Sequence, residues 1–363
     1  MISTLIIAEA GVNHNGSEEL AIKLVDAAID AGVDIIKFQT FKADELVTSE
    51  AKQADYQIKN TEKTESQWSM LKGLELSFDS HMSIKKYCDS RKIEYLSTAF
   101  DSLSLKFLTE TMSLTRLKIP SGEITNAPFV LEHALTGCDI ILSTGMSTLP
   151  EIEFALAVIA YGLINRTEKS TPSRDAFFQA YQSEEGKKQL QEKVTLLHCT
   201  TEYPAPFDQV NLKAMDLMAD TFDLPIGYSD HTAGISVSLA AVAREACVIE
   251  KHFTLDRNMQ GPDHKASIEP DELKTLVTGI REIEVSLGQS VKVASSCEEK
   301  NKAIARKSII AKKEIRKGEM LTEKNLMIKR PGTGISPNQY YEILGRKAVD
   351  NFKPEQLIRI ELV

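Results

Sequence analysis

Between residue 5 and about residue 252 the chain repeats one pattern. A short apolar, β-rich run gives way to polar or glycine-containing residues and then to an amphipathic stretch. The runs fall at 5–8, 34–38, 93–96, 115–119, 139–142, 194–197, 224–228 and 247–250. Eight such units predict a (β/α)8 TIM barrel, since parallel strands need a crossover helix between them. Three crossover stretches read clearly as helices. The one at 17–31 carries Leu20, Ile22, Leu24, Val25 and Ala28 and stops at Gly32. The one at 150–161 opens on proline behind Ser147 and Thr148. The one at 269–287 spaces Leu273, Leu276, Val277, Ile280, Ile283 and Leu287 along one face. An open doubly wound sheet is the runner-up, but it would place Gly-x-Gly-x-x-Gly after the first strand, and that motif is missing.

Two segments interrupt the pattern. Residues 165–191 form a polar insert, expected to start as a loop and continue as a helix on the barrel exterior. Residues 289–305 are polar and read as a linker, which bounds the barrel domain at 1–288. Residues 306–363 then show short β-like runs at 308–311, 326–329 and 357–360, separated by Lys-Gly-Glu and Pro-Gly-Thr-Gly turns. They predict a small β-rich domain that is marginal alone and needs something to dock on.

Composition narrows the function classes. The 363 residues are 42% hydrophobic and 26% charged, ordinary for a globular protein, and long enough for a large core without disulfides. A net charge of −9 argues against non-specific nucleic-acid binding but not against an anionic substrate met by local lysines. The five cysteines are widely spaced and form no CxxC, so a disulfide framework or zinc ribbon is not expected. No run reaches the length of a membrane span, and the first residues lack a signal-peptide pattern; a cytoplasmic location and no membrane partner are expected.

Barrel enzymes carry their chemistry at the C-terminal ends of the strands. Here those ends are polar almost throughout: Glu9, Lys37-Phe38-Gln39, Ser97-Thr98, Lys118-Ile119-Pro120-Ser121-Gly122-Glu123, Ser143-Thr144-Gly145, His198 to Tyr203, Ser229-Asp230-His231 and Glu250-Lys251-His252. Residues two apart on a strand share a face, so Lys37 with Gln39, Ser229 with His231, and Glu250 with His252 can point into the mouth as pairs. His231 and His252 on adjacent strands suit a divalent metal with open positions, with Glu9 or Asp263 as an oxygen ligand; two satisfied core histidines are the alternative. Lys37 and Lys118, beside Thr98, Ser121 and Ser229, describe a phosphate or carboxylate site. They could instead pair structurally with Glu9 and Glu250, or one could be a Schiff-base lysine as in an aldolase. Cys199 reads as core packing. Asp263-His264-Lys265 reads as a substrate loop or a solvated one.

These residues sit in stretches that resemble the nonulosonate synthases, which include the sialic acid synthases. The stretches are IIAEAGVNHNG, IIKFQTFKADEL, KIPSGEITN, ILSTGM, LLHCTTEYPAP, GYSDHT, IEKHFTLDRNMQGPDHKASIEPDEL and KRPGTGISP, in order over almost the whole chain. The resemblance implies a condensation of phosphoenolpyruvate with an N-acyl mannosamine-type aldehyde. The products would be a nine-carbon 2-keto sugar acid and phosphate. It implies that Lys37, Thr98, Lys118, Ser121 and Ser229 contact phosphoenolpyruvate, and that His231 and His252 hold Mn2+ or Mg2+. Glu9, Gln39, Glu123, Tyr203 and Asp263 would serve the sugar or general acid/base steps. Thr201 stands where some members carry Asn at a substrate contact. The small domain resembles the family's antifreeze-like (SAF) domain, in which Arg330 would reach a partner subunit's site in a domain-swapped homodimer. The wording HCTTEYPAPF, GYSDHT and GPDHKAS is similar to the legionaminate branch, whose sugar is a 2,4-diacetamido-2,4,6-trideoxymannose; the N-acetylmannosamine of the sialic branch is the alternative. Ala99, where proline is expected, and the insert at 165–191 depart from the family pattern. An ice-binding module and a plain scaffold are remote alternatives.

Overall fold

The computed structural model describes residues 3–61, 64–166 and 171–360. Two compact units divide them, Met1–Gly288 and Gln289–Val363. The first is a closed barrel of eight parallel strands in sequence order: β1 (Leu5–Gly11), β2 (Ile35–Thr40), β3 (Glu94–Ala99), β4 (Arg116–Ile119), β5 (Asp139–Ser143), β6 (Val194–Cys199), β7 (Ile226–Asp230) and β8 (Val248–His252). β8 closes on β1 with Glu9 opposite His252.

Period-two alternation sorts the barrel interior into layers. Ile7, Ile35, Leu96, Ile141, Leu197 and Val248 form a buried apolar floor. Gly227 of β7 completes it by absence: a Cβ there would lie 2.6 Å from Leu197 Cδ2 and 2.6 Å from Val248 O. Two residues further along the strands, the inward positions change to Glu9, Lys37, Thr98, Ser143, Cys199, Ser229 and Glu250. Seven of the eight strands run one to three residues beyond the apolar runs of the sequence, β4 being the exception, because these polar ends remain in the barrel and most are buried there.

The outward strand positions pack on the helices in one large core. Local signals set the helix ends. Ser17 Oγ accepts from Leu20 N and Gly32, at φ 82°, ends the helix Glu18–Ala31. Reciprocal caps, Thr148 with Glu151 and Glu269 with Glu272, start Leu149–Ile164 and Pro270–Leu287. The described part of the insert supplies two helices, Arg174–Gln182 and Glu184–Lys193; residues 167–170 lie outside the described residues. Phe177 meets Phe154 and Tyr161 at ring distances of 6.1 and 5.1 Å, so the insert covers the outer face of Leu149–Ile164, which is apolar nearly all round.

In the second unit, β9 (Ser308–Ala311) and β10 (Leu326–Lys329) pair antiparallel over a small core that includes Ile309, Ile315, Leu321, Ile343 and Phe352. The run at 357–360 makes a single bridge, Leu357 to Ile310, in place of a strand. Half of the segment read as a linker is helical: Ser296–Ala305 starts on a Ser295–Glu298 capping box. Among the described residues no helix is long and apolar enough to cross a membrane.

Candidate active site

The C-terminal end of the barrel holds a cavity of about 390 Å³. Twelve of the fourteen residues singled out in the sequence line it: Glu9, Lys37, Gln39, Thr98, Lys118, Ser121, Thr201, Tyr203, Ser229, His231, His252 and Asp263. Glu123 lies beside it, half-buried and accepting from Asn126 Nδ2 at 2.7 Å, and is not among the lining residues. Arg330 belongs to the second unit, exposed, with Nε donating to Ala305 O at 3.0 Å.

Four charged side chains form the base of the cavity, each under 5% exposed. Lys37 Nζ lies 2.7 Å from Glu9 Oε2 and 3.6 Å from Glu250 Oε2. Lys118 Nζ lies 3.2 Å from Glu250 Oε1. Lys37 also donates to Thr98 Oγ1 at 3.2 Å, and Ser229 Oγ to Glu250 Oε1 at 3.0 Å. The pairing of both lysines with Glu9 and Glu250 is therefore present, and it is the floor of an open cavity. Its charge is uneven. Burial pushes Glu9 up to about 7 despite Lys37. Burial also pushes Glu250 up, but Lys118 and Lys37 outweigh it and bring that carboxyl down to about 2. Near neutral pH two lysines thus face one firmly ionised carboxylate and one that is half-protonated, which leaves room for an added anion.

Hydroxyls ring this base. Ser143 Oγ and Thr201 Oγ1 are buried without a hydrogen-bond partner among the described residues. Ser121 Oγ accepts from Gly145 N at 3.0 Å and sits 3.2 Å from Cys199 Sγ. Gly145 keeps that corner open, because a Cβ would lie 2.4 Å from Thr201 Oγ1 and 2.8 Å from Ser121 Oγ. Cys199, read from the sequence as core, faces the cavity. Ser143 was named in the sequence only as a strand end and Glu250 only as a mouth-facing counter-ion, with no site role for either; the period-two rule places both in the cavity, from Ile141 and Val248.

At the rim the two imidazoles stand with ring centres 5.5 Å apart, and the Tyr203 ring packs against His231 at 4.2 Å, tilted by 33°. Burial holds His231 down to about 4, and burial with the neighbouring His231 holds His252 well below its ordinary value, so both are neutral. His231 Nδ1 donates to Thr200 O at 2.7 Å, which leaves Nε2 as the lone pair. His252 Nδ1 is buried without a hydrogen-bond partner, 3.9 Å from Asp263 Oδ2. Burial lifts Asp263 to about 6. Among the described residues no group of three or more His, Cys, Asp and Glu encloses a metal. Two neutral nitrogens, one of them orphaned, with a carboxylate nearby, fit an open divalent site completed by water or substrate.

The outer wall has a different chemistry. Val12, Phe41, Met70 and Leu74 form their own buried cluster with Leu46, Leu71 and Phe100, and all of these line the cavity. Phe41, Leu46, Met70, Leu71 and Leu74 come from the β2 crossover, where the helices Ala43–Leu46, Asp55–Thr61 and Gln67–Leu74 stand over the mouth; Val12 follows β1 and Phe100 follows β3. Nothing in the strand-end pattern marked this wall; its signal was only the unusual length between β2 and β3.

The chain matches the NeuB family over residues 24–292 and the SAF domain over 306–363. It is 51% identical to an N,N'-diacetyllegionaminic acid synthase of Campylobacter jejuni, across 99% of this chain and 100% of that one. A protein of the same name from Legionella pneumophila is 43% identical, across 95% and 90%. The crystal structure of an N-acetylneuraminic acid (sialic acid) synthetase from Leptospira borgpetersenii is similar with a TM-score of 0.66 at 31% identity, across 82% of this chain and 90% of that one. A barrel mouth with paired lysines and neutral histidines thus sits in a chain that belongs to the NeuB family.

Proposed function

We propose that this protein condenses phosphoenolpyruvate with 2,4-diacetamido-2,4,6-trideoxymannose to give N,N'-diacetyllegionaminate and phosphate. The observation that carries this reading is the division of one cavity into a doubly cationic, hydroxyl-ringed base and an apolar outer wall. Phosphoenolpyruvate has two anionic groups, which Lys37 and Lys118 answer, with Thr98, Ser121, Ser143, Thr201 and Ser229 as hydrogen-bonding partners. The 6-deoxy diacetamido sugar presents a methyl at C6 and an acetamido group at C4 where N-acetylmannosamine presents a hydroxymethyl and a hydroxyl, and the apolar wall suits the former.

In the reaction the C3 carbon of phosphoenolpyruvate attacks the aldehyde carbon, and a C–C bond forms. The cation left at C2 takes up water, and the tetrahedral intermediate expels phosphate by C–O cleavage. Glu9, brought near neutrality, accepts the proton of the incoming water. Asp263, raised to about 6, is placed to protonate the aldehyde oxygen as it becomes a hydroxyl. Tyr203 and Gln39 orient the sugar beside Glu9; Gln39 Nε2 already donates to Glu9 Oε1 at 3.3 Å. His231 and His252 would hold Mn2+ or Mg2+, which would supply Lewis-acid polarisation of the aldehyde. Arg330 of a domain-swapped homodimer would complete the sugar site of the partner, with Glu123 at its edge.

The test is phosphate release from phosphoenolpyruvate with Mn2+, each sugar offered in parallel, and a chelated control. The expected outcome is chelator-sensitive release with preference for the diacetamido sugar. Preference for N-acetylmannosamine would make it a sialic acid synthase, and release from neither would overturn the reading.

A further inference from the structure

Each rim histidine is preceded by a charged residue, Asp230 before His231 and Lys251 before His252. Strand alternation turns these two away from the cavity while their neighbours face it. Away from the cavity is not toward water: Asp230 is 0% and Lys251 1% exposed. They are opposite each other in the β7–β8 register. Lys251 Nζ lies 3.1 Å from Asp230 Oδ2 and donates to Thr232 O at 2.6 Å. The Asp230 carboxylate also accepts from Thr232 N and Thr232 Oγ1, both at 2.8 Å, and from Ser238 Oγ at 2.5 Å. Ser238 stands on the helix Ser236–Ala243.

Elsewhere the outward face of these strands is filled by apolar side chains such as Ile6, Ile36, Ile140, Leu196 and Ile249. An apolar pair of similar volume would hold the fold as well or better, because the desolvation of two buried charges offsets most of their attraction. Stability alone therefore does not account for ions here. What this cluster adds is direction. Apart from the bond that Ser238 brings from the following helix, its bonds join β7, β8 and the turn after His231, and together they fix how the two strand ends stand against each other.

We infer that Asp230 and Lys251 are positioning residues that set the spacing of His231 and His252 for a shared divalent cation. The inference rests on the reading of those histidines as metal ligands. The pair acts from behind the strands and touches no substrate.

The test uses the full-length, metal-free protein and titrates Mn2+ alone, following free Mn2+ by electron paramagnetic resonance, with circular dichroism and thermal melting in parallel. The double variant Asp230→Asn/Lys251→Met removes both charges and strands neither. The expected result is a native spectrum, phosphoenolpyruvate binding within about threefold of the parent, and Mn2+ affinity weaker by roughly 10–100-fold, the range for lost outer-sphere support. A folded double variant that binds Mn2+ like the parent overturns the inference. Should the double variant fail to fold, Ser238→Ala decides. It keeps both charges and loosens one restraint, so a several-fold weaker Mn2+ affinity is expected in a protein that still folds with a modestly lowered melting temperature, and unchanged affinity overturns the inference. His231→Gln separates the two failures. If it leaves Mn2+ affinity intact, the metal reading falls and takes the positioning role with it.

Discussion

Ser143 Oγ and Thr201 Oγ1 are buried hydroxyl oxygens with no partner among the described residues, an arrangement that costs stability unless something else completes it. Ser143→Ala gives up no internal hydrogen bond, so folding stability should stay within about 0.5 kcal/mol of the parent. If the hydroxyl serves an anion, the same change should raise the KM for phosphoenolpyruvate roughly tenfold, since a hydrogen bond to a charged group is worth about 1.5–3 kcal/mol. An unchanged KM would remove Ser143 from the site. Glu250 makes the opposite case. It is the counter-ion of both lysines, and Glu250→Gln leaves Lys118 without a carboxylate partner among the described residues. The ligand-free protein should lose roughly 3–5 kcal/mol, as buried pairs do when one partner goes. Added phosphoenolpyruvate, replacing the missing negative charge, should then raise the melting temperature more than it does in the parent. A smaller rise would show that the carboxylate does not compete with substrate for the lysines. At this scale the sequence was legible wherever strand alternation could be applied: Lys37, Gln39, Ser229, His231 and His252 all face the cavity. Cys199 is buried, as its reading as core packing expects, and it also lines the cavity, because it lies two residues beyond inward-facing Leu197.

In the proposed reading the element that selects the sugar is the long β2–β3 crossover. Its helix Gln67–Leu74 begins on Ser66, whose Oγ accepts from Ser69 N, and presents Met70, Leu71 and Leu74 to the cavity. Leu71 is only half-buried, so Leu71→Gln keeps a good helix former at modest cost to packing. A methyl group in an apolar pocket is worth about 1–3 kcal/mol, or 10–200-fold in specificity. The variant should therefore lower kcat/KM for the 6-deoxy diacetamido sugar by about tenfold while N-acetylmannosamine changes little. Equal losses for both sugars would mean that the wall only packs. Strand and helix existence was readable because hydrophobic period and capping residues agree, as at Ser17, Thr148 and Glu269. The wall was not, because a mouth-facing helix shows the same apolar spacing as a core-facing one. The insert was expected to continue as a helix on the barrel exterior, and Arg174–Gln182 is that helix; its aromatic partners Phe154 and Tyr161 are what the sequence did not show.

At the scale of the whole molecule, all seven histidines fall in the barrel unit and none in Gln289–Val363. Five lie outside the candidate metal pair. Burial holds His14, His133 and His264 down to about 4, His81 to about 3, and lowers His198. A group with a lowered folded-state value stays neutral in the fold while the unfolded chain takes up protons below about 6.5, so its contribution is complete above that pH and lost as the pH falls toward 4. Glu9 and Asp263 work the other way, since values raised to about 7 and about 6 bind protons in the fold first. Between pH 7.5 and 5.5 the five histidines held at about 4 or below (His14, His81, His133, His264 and, in the metal-free protein, His231) each cost roughly 1 kcal/mol, the two acids return about half of that, and His198 and His252 add to the loss, leaving a net loss of at least about 2–3 kcal/mol. Denaturant unfolding of the metal-free protein at the two pH values should show this loss in the barrel transition. Hydrogen exchange in β9 and β10 should stay unchanged once corrected for intrinsic rate, because that unit carries no imidazole to titrate. Equal acid sensitivity in both units would mean that the buried histidines are not what limits the barrel, and a barrel more stable at pH 5.5 would mean that Glu9 and Asp263 outweigh them.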